Sequence, residues 1–505
     1  MSGVGKLQHY GGLLFAGAIF PLGLAPFHFW PAVLISIALL FRALQHKTIK
    51  QTLLDTTTYA FGLFFSGASW LYVSIHEYGF VAAPLALLAT ALFCLFLAFL
   101  FAVPYALSAL IPQTPISWIL GLPSIWVLSE WIRTWFLTGF PWLFAGYSHT
   151  ETWLNGWAPV GGVLWLSLIA AFSGVLLTLI CQGHIKVSAV RQSMVALLFF
   201  VAAGYCLQQY EWTEKSGVPL SVTLIQPNIP QGEKWSAEKQ SAILRQLTTQ
   251  SESHWDKDLI VWPEMAVPAI PERIPDFMQD LQEKALKTNT SLLSGIVTYD
   301  NETRRYFNSM IALGLSSGQY NKTRLVPFGE YVPFEPILRG LIKFFDLPMS
   351  SIAIGAANQH PFSVQGHFIS AAICYEVVYP DLVARNSTKS SVIMTVSNDA
   401  WFGRSIGPKQ HMQMAQMRAL ENAKPLIRGT NNGISALVDH RGLIYQKIEQ
   451  YETSELSGIV QPRVGVTAFS KFRSWPTLAI VLLICIILIR TKNKIAIEEV
   501  PRHDS

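Results

Sequence analysis

Three short stretches hold the residue types from which a nucleophilic site could be assembled. The first is AAICYEVVYPDL, around Cys374. Of the five cysteines, Cys94, Cys181, Cys206 and Cys485 lie in long apolar stretches, and Cys374 alone sits in a polar part of the chain. It ends an apolar run that reads as a buried strand, and Tyr375 and Glu376 follow at once. Such a thiol has two readings, an inert buried cysteine or a nucleophile presented at a strand end. A free thiol, with a pKa of ~8.5, is mostly protonated near neutrality, so the second reading needs a base nearby.

The second stretch, VWPEMAVP, supplies a carboxylate. Glu264 follows a strand-like run between Pro263 and Met265, where a stiff backbone and partly apolar surroundings are expected to raise its basicity. The third, NKTRLVPFGEYVPF, supplies Lys322 and Glu330. An ammonium beside an attacked carbonyl would stabilise the developing oxyanion and favour a thiolate. Glu330, in a turn bounded by prolines, would orient that lysine or an attacking amine. Taken singly, Glu264 and Lys322 read first as solvated surface charges. His411 lies apart from these motifs, in KQHMQMAQMRALENA, where Met412, Met414 and Met417 point to packing rather than metal binding. No Cys/His spacing suggests zinc and no Gly-rich loop suggests a phosphate, so no cofactor is expected.

The elements that must position these residues recur between 211 and 470. Apolar, β-branched runs begin at Val222, Asp258, Ser291, His367 and Ser391, with helical patterns such as KQSAILRQLTTQ and PDFMQDLQEKALK among them. Strands alternating with helices predict a layered α/β domain.

The rest of the chain is apolar. Hydrophobic residues make up 51% and charged residues 14% of the 505, and mean hydropathy is +0.34. Part of it must therefore lie in a membrane. The net charge of +5 is modest and its basic residues flank apolar spans, which excludes a nucleic-acid partner. Seven spans are read across residues 1–210, near 8–27, 29–45, 53–75, 81–110, 116–132, 161–182 and 193–209. Basic residues after the second span (Arg42, Lys47, Lys50) and the sixth (Lys186, Arg191) place those loops in the cytoplasm. Residues 211–470 then fall outside, as does the loop from Thr134 to Pro159 with Trp135, Trp142, Trp153 and Trp157. Residues 471–505 read as a final span and a cytoplasmic tail. Its apolar run, Trp475–Ile489, covers only about 22 Å of a ~30 Å hydrocarbon core. Asp55, Glu77 and Glu130 fall near span ends, which argues against an ion-coupled transporter.

In chain order, Glu264, Lys322 and Cys374 resemble the Glu-Lys-Cys triad of the nitrilase (carbon-nitrogen hydrolase) superfamily. PLGLAPFHFWP, TGFPWLFAGYS, QPNIPQGEKW, VWPE, KTRLVPFGEYVPF, ICYE, SNDAWFG and RGTNNGISALVD together resemble, within it, the bacterial apolipoprotein N-acyltransferase family over nearly the whole chain. The resemblance implies a polytopic helical bundle of about eight spans in the bacterial inner membrane and an α-β-β-α sandwich in the periplasm. It implies that an acyl chain passes from a phospholipid to Cys374 and then to the α-amino group of the diacylglyceryl-cysteine of an apolipoprotein. Glu264 would be the general base, Lys322 the stabiliser of the intermediate and Cys374 the nucleophile. Trp235, Glu330, Tyr375 and Glu376 match further positions important in the family. Trp235, Phe334, Phe344 and Phe345 would line a lateral entrance for lipid. Two other readings keep the motifs, a membrane-tethered amidase that passes the acyl group to water and an inactive binding module.

Overall fold

The computed structural model describes residues 3–45, 47–182, 187–332 and 351–498. Lys186, Phe334, Phe344 and Phe345 lie outside them. The chain forms two compact units: Met1–Tyr72, Ala83–Tyr210 and Phe472–Ser505 in one, Val73–Ala82 and Glu211–Lys471 in the other.

The first unit is helical. Its main described helices are Gly3–Ala18, Pro31–Ala43, Ile49–Ala68, Ala83–Ala102, Pro115–Ile132, Ala158–Gln182, Val187–Gln209 and Trp475–Glu498. Four helical stretches are long and apolar enough to cross a membrane: Ala83–Leu110, Trp153–Gln182, Arg191–Gln209 and Trp475–Asn493. Pro31–Ala43 is apolar but shorter. The last helix corrects the reading that stopped at Ile489. It runs on through Arg490 and Lys492, so its apolar stretch counts 19 residues, about 28 Å. The Lys492 ammonium donates to the Ala109 carbonyl. The span read as 53–75 is also revised, because its helix ends at Ala68 and the residues from Val73 belong to the second unit.

Buried charge in the helical unit serves structure. Helix Ile49–Ala68 starts at a Thr48–Gln51 capping box and buries Asp55 beside His9 Nε2 (3.0 Å) and Lys47 Nζ (3.6 Å). Glu130 Oε1 accepts from Trp126 Nε1 and from the backbone N–H of Ala145, each at 2.7 Å. The Arg133 guanidinium donates to the Trp142 carbonyl at 2.7 Å and lies over the rings of Phe64, Phe101 and Phe144. This pair holds the non-helical segment after Arg133 inside the unit. Trp142 is buried there, whereas Trp135 and Trp153 are exposed, so the tryptophans of this loop divide between packing and surface.

The second unit has fourteen described strands. These are β1 (Glu214–Lys215), β2 (Leu220–Gln226), β3 (Leu259–Val267), β4 (Ser291–Asp300), β5 (Arg305–Gly314), β6 (Gln319–Asn321), β7 (Phe362–Val364), β8 (His367–Ile373), β9 (Val392–Ser397), β10 (Leu426–Thr430), β11 (Ser435–Val438), β12 (Ile444–Ile448), β13 (Ser454–Val460) and β14 (Arg463–Val464). One six-stranded sheet has the order β13-β2-β3-β4-β5-β6, the other β12-β11-β10-β9-β8-β7, and β1 pairs with β14. Each six-stranded sheet is built on a parallel trio, β2-β3-β4 or β8-β9-β10, with antiparallel strands outside it.

Side-chain alternation along β3 shows why the layers stack. Leu259 and Val261 enter a core shared with Ile369, Ile373, Val392, Met394 and Val396 of the second sheet. Ile260 and Trp262, on the opposite face, pack with Ile243, Leu247, Leu281 and Ala285 from helices Ala237–Ser251 and Pro275–Lys287. A strand buried on both faces needs apolar residues at every position, and all nine residues of β3 are buried. Helices Pro380–Ser387 and Gly407–Asn422 pack with strands of the second sheet. The result is the layered α/β domain that the strand and helix pattern predicts, in the α-β-β-α order that the resemblance implies.

Candidate active site

The parallel strands direct their C-terminal ends toward one cluster. Glu264 sits where β3 departs from regular pairing. Trp262 pairs with Ser294, but the next pair is Val267 with Ile296, so residues 263–266 oppose Gly295 alone. A Cβ at Gly295 would lie 2.4 Å from the Pro263 carbonyl and 2.6 Å from the Met265 nitrogen, so the bulge requires glycine there. Met265 takes a positive φ of 49° within it.

Both Glu264 oxygens are occupied. Oε1 accepts from Asn308 Nδ2 (2.8 Å) and Lys322 Nζ (3.2 Å), and Oε2 from the Asn398 backbone N–H (2.8 Å). Sequence alone led us to expect raised basicity at Glu264, and the structure corrects this. Burial does push the carboxyl up, but Lys322, Asn308 and Lys234 outweigh it and hold the pKa below the ordinary value. At neutral pH Glu264 is an ionised acceptor.

Lys322 follows β6 and is buried. Its Nζ bridges Glu264 Oε1 and Glu330 Oε1 (2.9 Å). Burial would lower its pKa, yet the two carboxylates hold the ammonium above its usual range. Glu330 also accepts from Asn308 Nδ2 (2.7 Å) and, through Oε2, from the Val326 backbone N–H (2.8 Å). Glu330 thus positions the lysine. Asn308 ties both carboxylates to β5.

Cys374 is the first residue after β8, with φ +50°, and opens a short 3-10 turn. This left-handed conformation is disfavoured for a side chain with a Cβ and persists only where the surroundings fix it. Two groups do so. Glu376 accepts from the Ile373 N–H (2.7 Å), the Thr323 N–H (2.7 Å), the Thr323 hydroxyl (2.6 Å), the Arg324 N–H (3.3 Å) and the Tyr320 hydroxyl (3.0 Å). It thereby locks the turn carrying Cys374 to the segment carrying Lys322. On the other side, His411 Nε2 lies 3.2 Å from the Cys374 carbonyl oxygen. A carbonyl oxygen can only accept, so His411 Nε2 is the donor to Cys374, while Nδ1 faces both Arg428 Nη2 (3.0 Å) and Asp399 Oδ1 (3.1 Å). Burial and Arg428 hold His411 below its ordinary pKa, consistent with a neutral ring. Asp399 completes this group, accepting from Arg428 (2.8 Å) and Ser397 (2.5 Å).

The Cys374 side chain is partly exposed, bonds to Ser397, and feels the charges of Glu264, Lys322 and Asp399. Burial raises its pKa, Glu264 adds to this, and Lys322 opposes it, so the resting group is a neutral thiol. Tyr375 packs edge-on against Tyr379, and Arg324 lies over the Tyr379 ring. Trp235 is 40% exposed, outside the hydrogen-bonded cluster. Sequence reasoning missed Asn308, Asn398, Asp399, Arg428 and Lys234, and set His411 apart from the motifs with no role in the site. SNDAWFG and RGTNNG were seen as motifs, but nothing in the chain order shows that the first reaches Glu264 through the Asn398 N–H, or that the second braces the first through Asn431 and Arg428. Among the described residues no group of three or more His, Cys, Asp or Glu is arranged to hold a metal.

Two stacked six-stranded sheets, with a cysteine, a lysine and two carboxylates gathered at their strand ends, define a carbon-nitrogen-hydrolase-like catalytic unit. Comparison with known families agrees. The model of the carbon-nitrogen hydrolase family matches residues 221–466, and that of the apolipoprotein N-acyltransferase N-terminal domain matches residues 16–176. Curated relatives named apolipoprotein N-acyltransferase include proteins from Pseudomonas aeruginosa (44% identical, 94% of each chain) and Azotobacter vinelandii (43% identical, 93% of each). One from Vibrio parahaemolyticus is 37% identical, covering 92% of this chain and 93% of the relative. The chain belongs to the apolipoprotein N-acyltransferase family.

Proposed function

We propose that the chain transfers an acyl group from a membrane phospholipid, through a thioester at Cys374, to the α-amino group of the N-terminal diacylglyceryl-cysteine of apolipoproteins. What supports this reading is the buried Glu264–Lys322 pair, whose charges act on the partly exposed Cys374 thiol, in a member of this family.

In the first half-reaction Glu264 takes the thiol proton and the Cys374 sulfur attacks the donor ester carbonyl. Lys322 stabilises the tetrahedral oxyanion. Collapse breaks the ester C–O bond, Glu264 returns its proton to the leaving oxygen, and lysophospholipid departs. In the second half-reaction the neutral amine attacks the thioester, Glu264 accepts an amine proton, and that proton passes to the departing Cys374 sulfur. Glu330 holds Lys322 and Glu376 holds the Cys374 turn. The acceptor amine is anchored by its own lipid chains, which raises its effective concentration at the thioester.

The same reading places the helical unit in the bacterial inner membrane with about eight crossings, and residues 211–470 in the periplasm. Basic residues Arg42, Lys47 and Lys50 support this orientation. A periplasm-dependent reporter fused at Ser216 is expected to be active, and silence there would reject the orientation. The reaction itself is tested with purified enzyme, phospholipid and a diacylglyceryl-cysteine peptide. One lysophospholipid should form per N-acylated peptide, whereas free fatty acid with unmodified peptide would favour a hydrolase.

A further inference from the structure

Lys234 has no part in the steps above, yet it is as buried as the residues that do. It lies in the loop after β2, next to the exposed Trp235, and is 1% exposed. Its Nζ donates to the backbone carbonyl of Glu264 at 3.0 Å, the only acceptor it has among the described residues. An ammonium carries three protons, and burying one with a single neutral partner is costly unless nearby negative charge repays it. The acidic groups that act on Lys234 are reacting groups: Glu264, ionised at rest, and Cys374 once its thiol is ionised.

Charge accounting gives this placement a purpose. Asp399 is paired with Arg428, and Glu376 is held by its own set of donors. At the reacting centre, Glu264 and Glu330 contribute two negative charges and Lys322 one positive charge. Lys322 also commits protons to both carboxylates. Without a second cation the centre would carry an unbalanced negative charge before reaction. Moving the thiol proton to Glu264 would then place a thiolate in a buried site already one charge in deficit.

We propose that Lys234 is a positioning residue for the acylation step. Its ammonium balances the second carboxylate, holds the β3 bulge through the Glu264 carbonyl, and lowers the cost of forming the Cys374 thiolate and the oxyanion that follows. The proton moves from sulfur to Glu264 with no other bond change, and the negative charge left on sulfur faces two cations instead of one. This rests on the assignment of Cys374 as nucleophile, and its test separates the two.

Alkylation of Cys374 by iodoacetamide, followed by peptide mass across pH, needs neither lipid nor acceptor. In Lys234→Gln, which keeps an N–H donor for the Glu264 carbonyl and removes the charge, the pH of half-maximal alkylation is expected to rise by about 1 unit. Acyl-enzyme formation at neutral pH should fall about tenfold or more. Lys234→Arg, which keeps the charge, should lie closer to wild type in both measurements, and a purely structural role would not distinguish charge from hydrogen bonding in the alkylation profile. An unshifted profile in Lys234→Gln together with acylation within threefold of wild type would overturn the proposal. Should Lys234→Gln fail to fold, Lys234→Arg decides, because alkylation that exceeds wild type once pH passes about 8, where lysine loses its charge and arginine keeps it, supports the role, and a profile unshifted or shifted upward rejects it. If wild-type Cys374 alkylates as described but never forms an acyl-enzyme, the functional reading fails and the electrostatic role of Lys234 is still read from the profile.

Discussion

Buried carboxylates beside cations occur in both units, and they are used in opposite ways. Glu130 in the helical unit spends one oxygen on a tryptophan N–H and a backbone N–H, while Arg133 is turned to a carbonyl and three aromatic rings. These groups close an irregular segment among helices, where an unmet backbone N–H would be costly. Glu264 has both oxygens filled as well, but one partner is a lysine and the neighbouring group is a thiol. Charge therefore fastens backbone in the first unit, whereas in the second it is arranged around an atom that must change its own charge. Burial alone does not separate the two cases. What separates them is whether a nucleophile belongs to the network.

The sharpest break in the comparison is expected at Cys374 itself. Cys374→Ala should abolish the acyl-enzyme and reduce transfer by more than about 10³-fold, whereas Cys94→Ser in the helical unit should leave both near wild type. Labelling of the Cys374→Ala protein at full stoichiometry by a thiol-reactive lipid would show that another cysteine is the nucleophile. Next in size is Lys322→Met, for which a loss of about 10²–10³-fold in acylation is expected from removal of one oxyanion donor. A loss in peptide transfer with undiminished acylation would instead confine Lys322 to the second step.

Glu130→Ala should behave differently, because it leaves the Ala145 N–H and the Trp126 N–H unmet. It is expected to lower stability by about 1–3 kcal/mol, seen as a lower thermal midpoint in detergent, with acylation per folded molecule nearly unchanged. Loss of acylation at full stability would mean that Glu130 takes part in chemistry and the comparison is mistaken. The smallest effect concerns pH. Burial lowers the Lys234 pKa to about 8, while Glu264 and Cys374 oppose that fall, so the cation is present at pH 7 and is lost as pH rises through that value. The rate of Lys234→Arg relative to wild type should therefore climb as pH passes about 8, because arginine stays charged. A flat ratio from pH 6 to 9.5 would contradict this.

The strands were legible in the sequence because burial on both faces demands unbroken apolar runs, as around Leu259 and Val392. Cys374, Lys322 and Glu264 were legible as motif residues, but not as neighbours, because chain order carries no distance. The raised basicity expected at Glu264 was wrong because its neighbours Pro263 and Met265 report apolar surroundings, while Lys322, Asn308 and Lys234 arrive from distant segments and reverse the outcome. His411 was hidden by the methionines around it. Helix Gly407–Asn422 is buried almost throughout although it is polar in sequence, and only the fold reveals that one of its side chains reaches the Cys374 carbonyl. The final helix was misjudged in length because an apolar count stops at the first arginine, whereas the backbone hydrogen bonds continue past it.

The central claim is that Cys374 carries the acyl chain between two lipid substrates. The most direct measurement is the intact mass of the purified protein after incubation with phospholipid alone, with the modified residue located by peptide mass. The account predicts one added acyl chain, on Cys374, stable to water and discharged when a diacylglyceryl-cysteine peptide is supplied. An unmodified protein that releases fatty acid continuously, or an acyl chain on any residue other than Cys374, would contradict it.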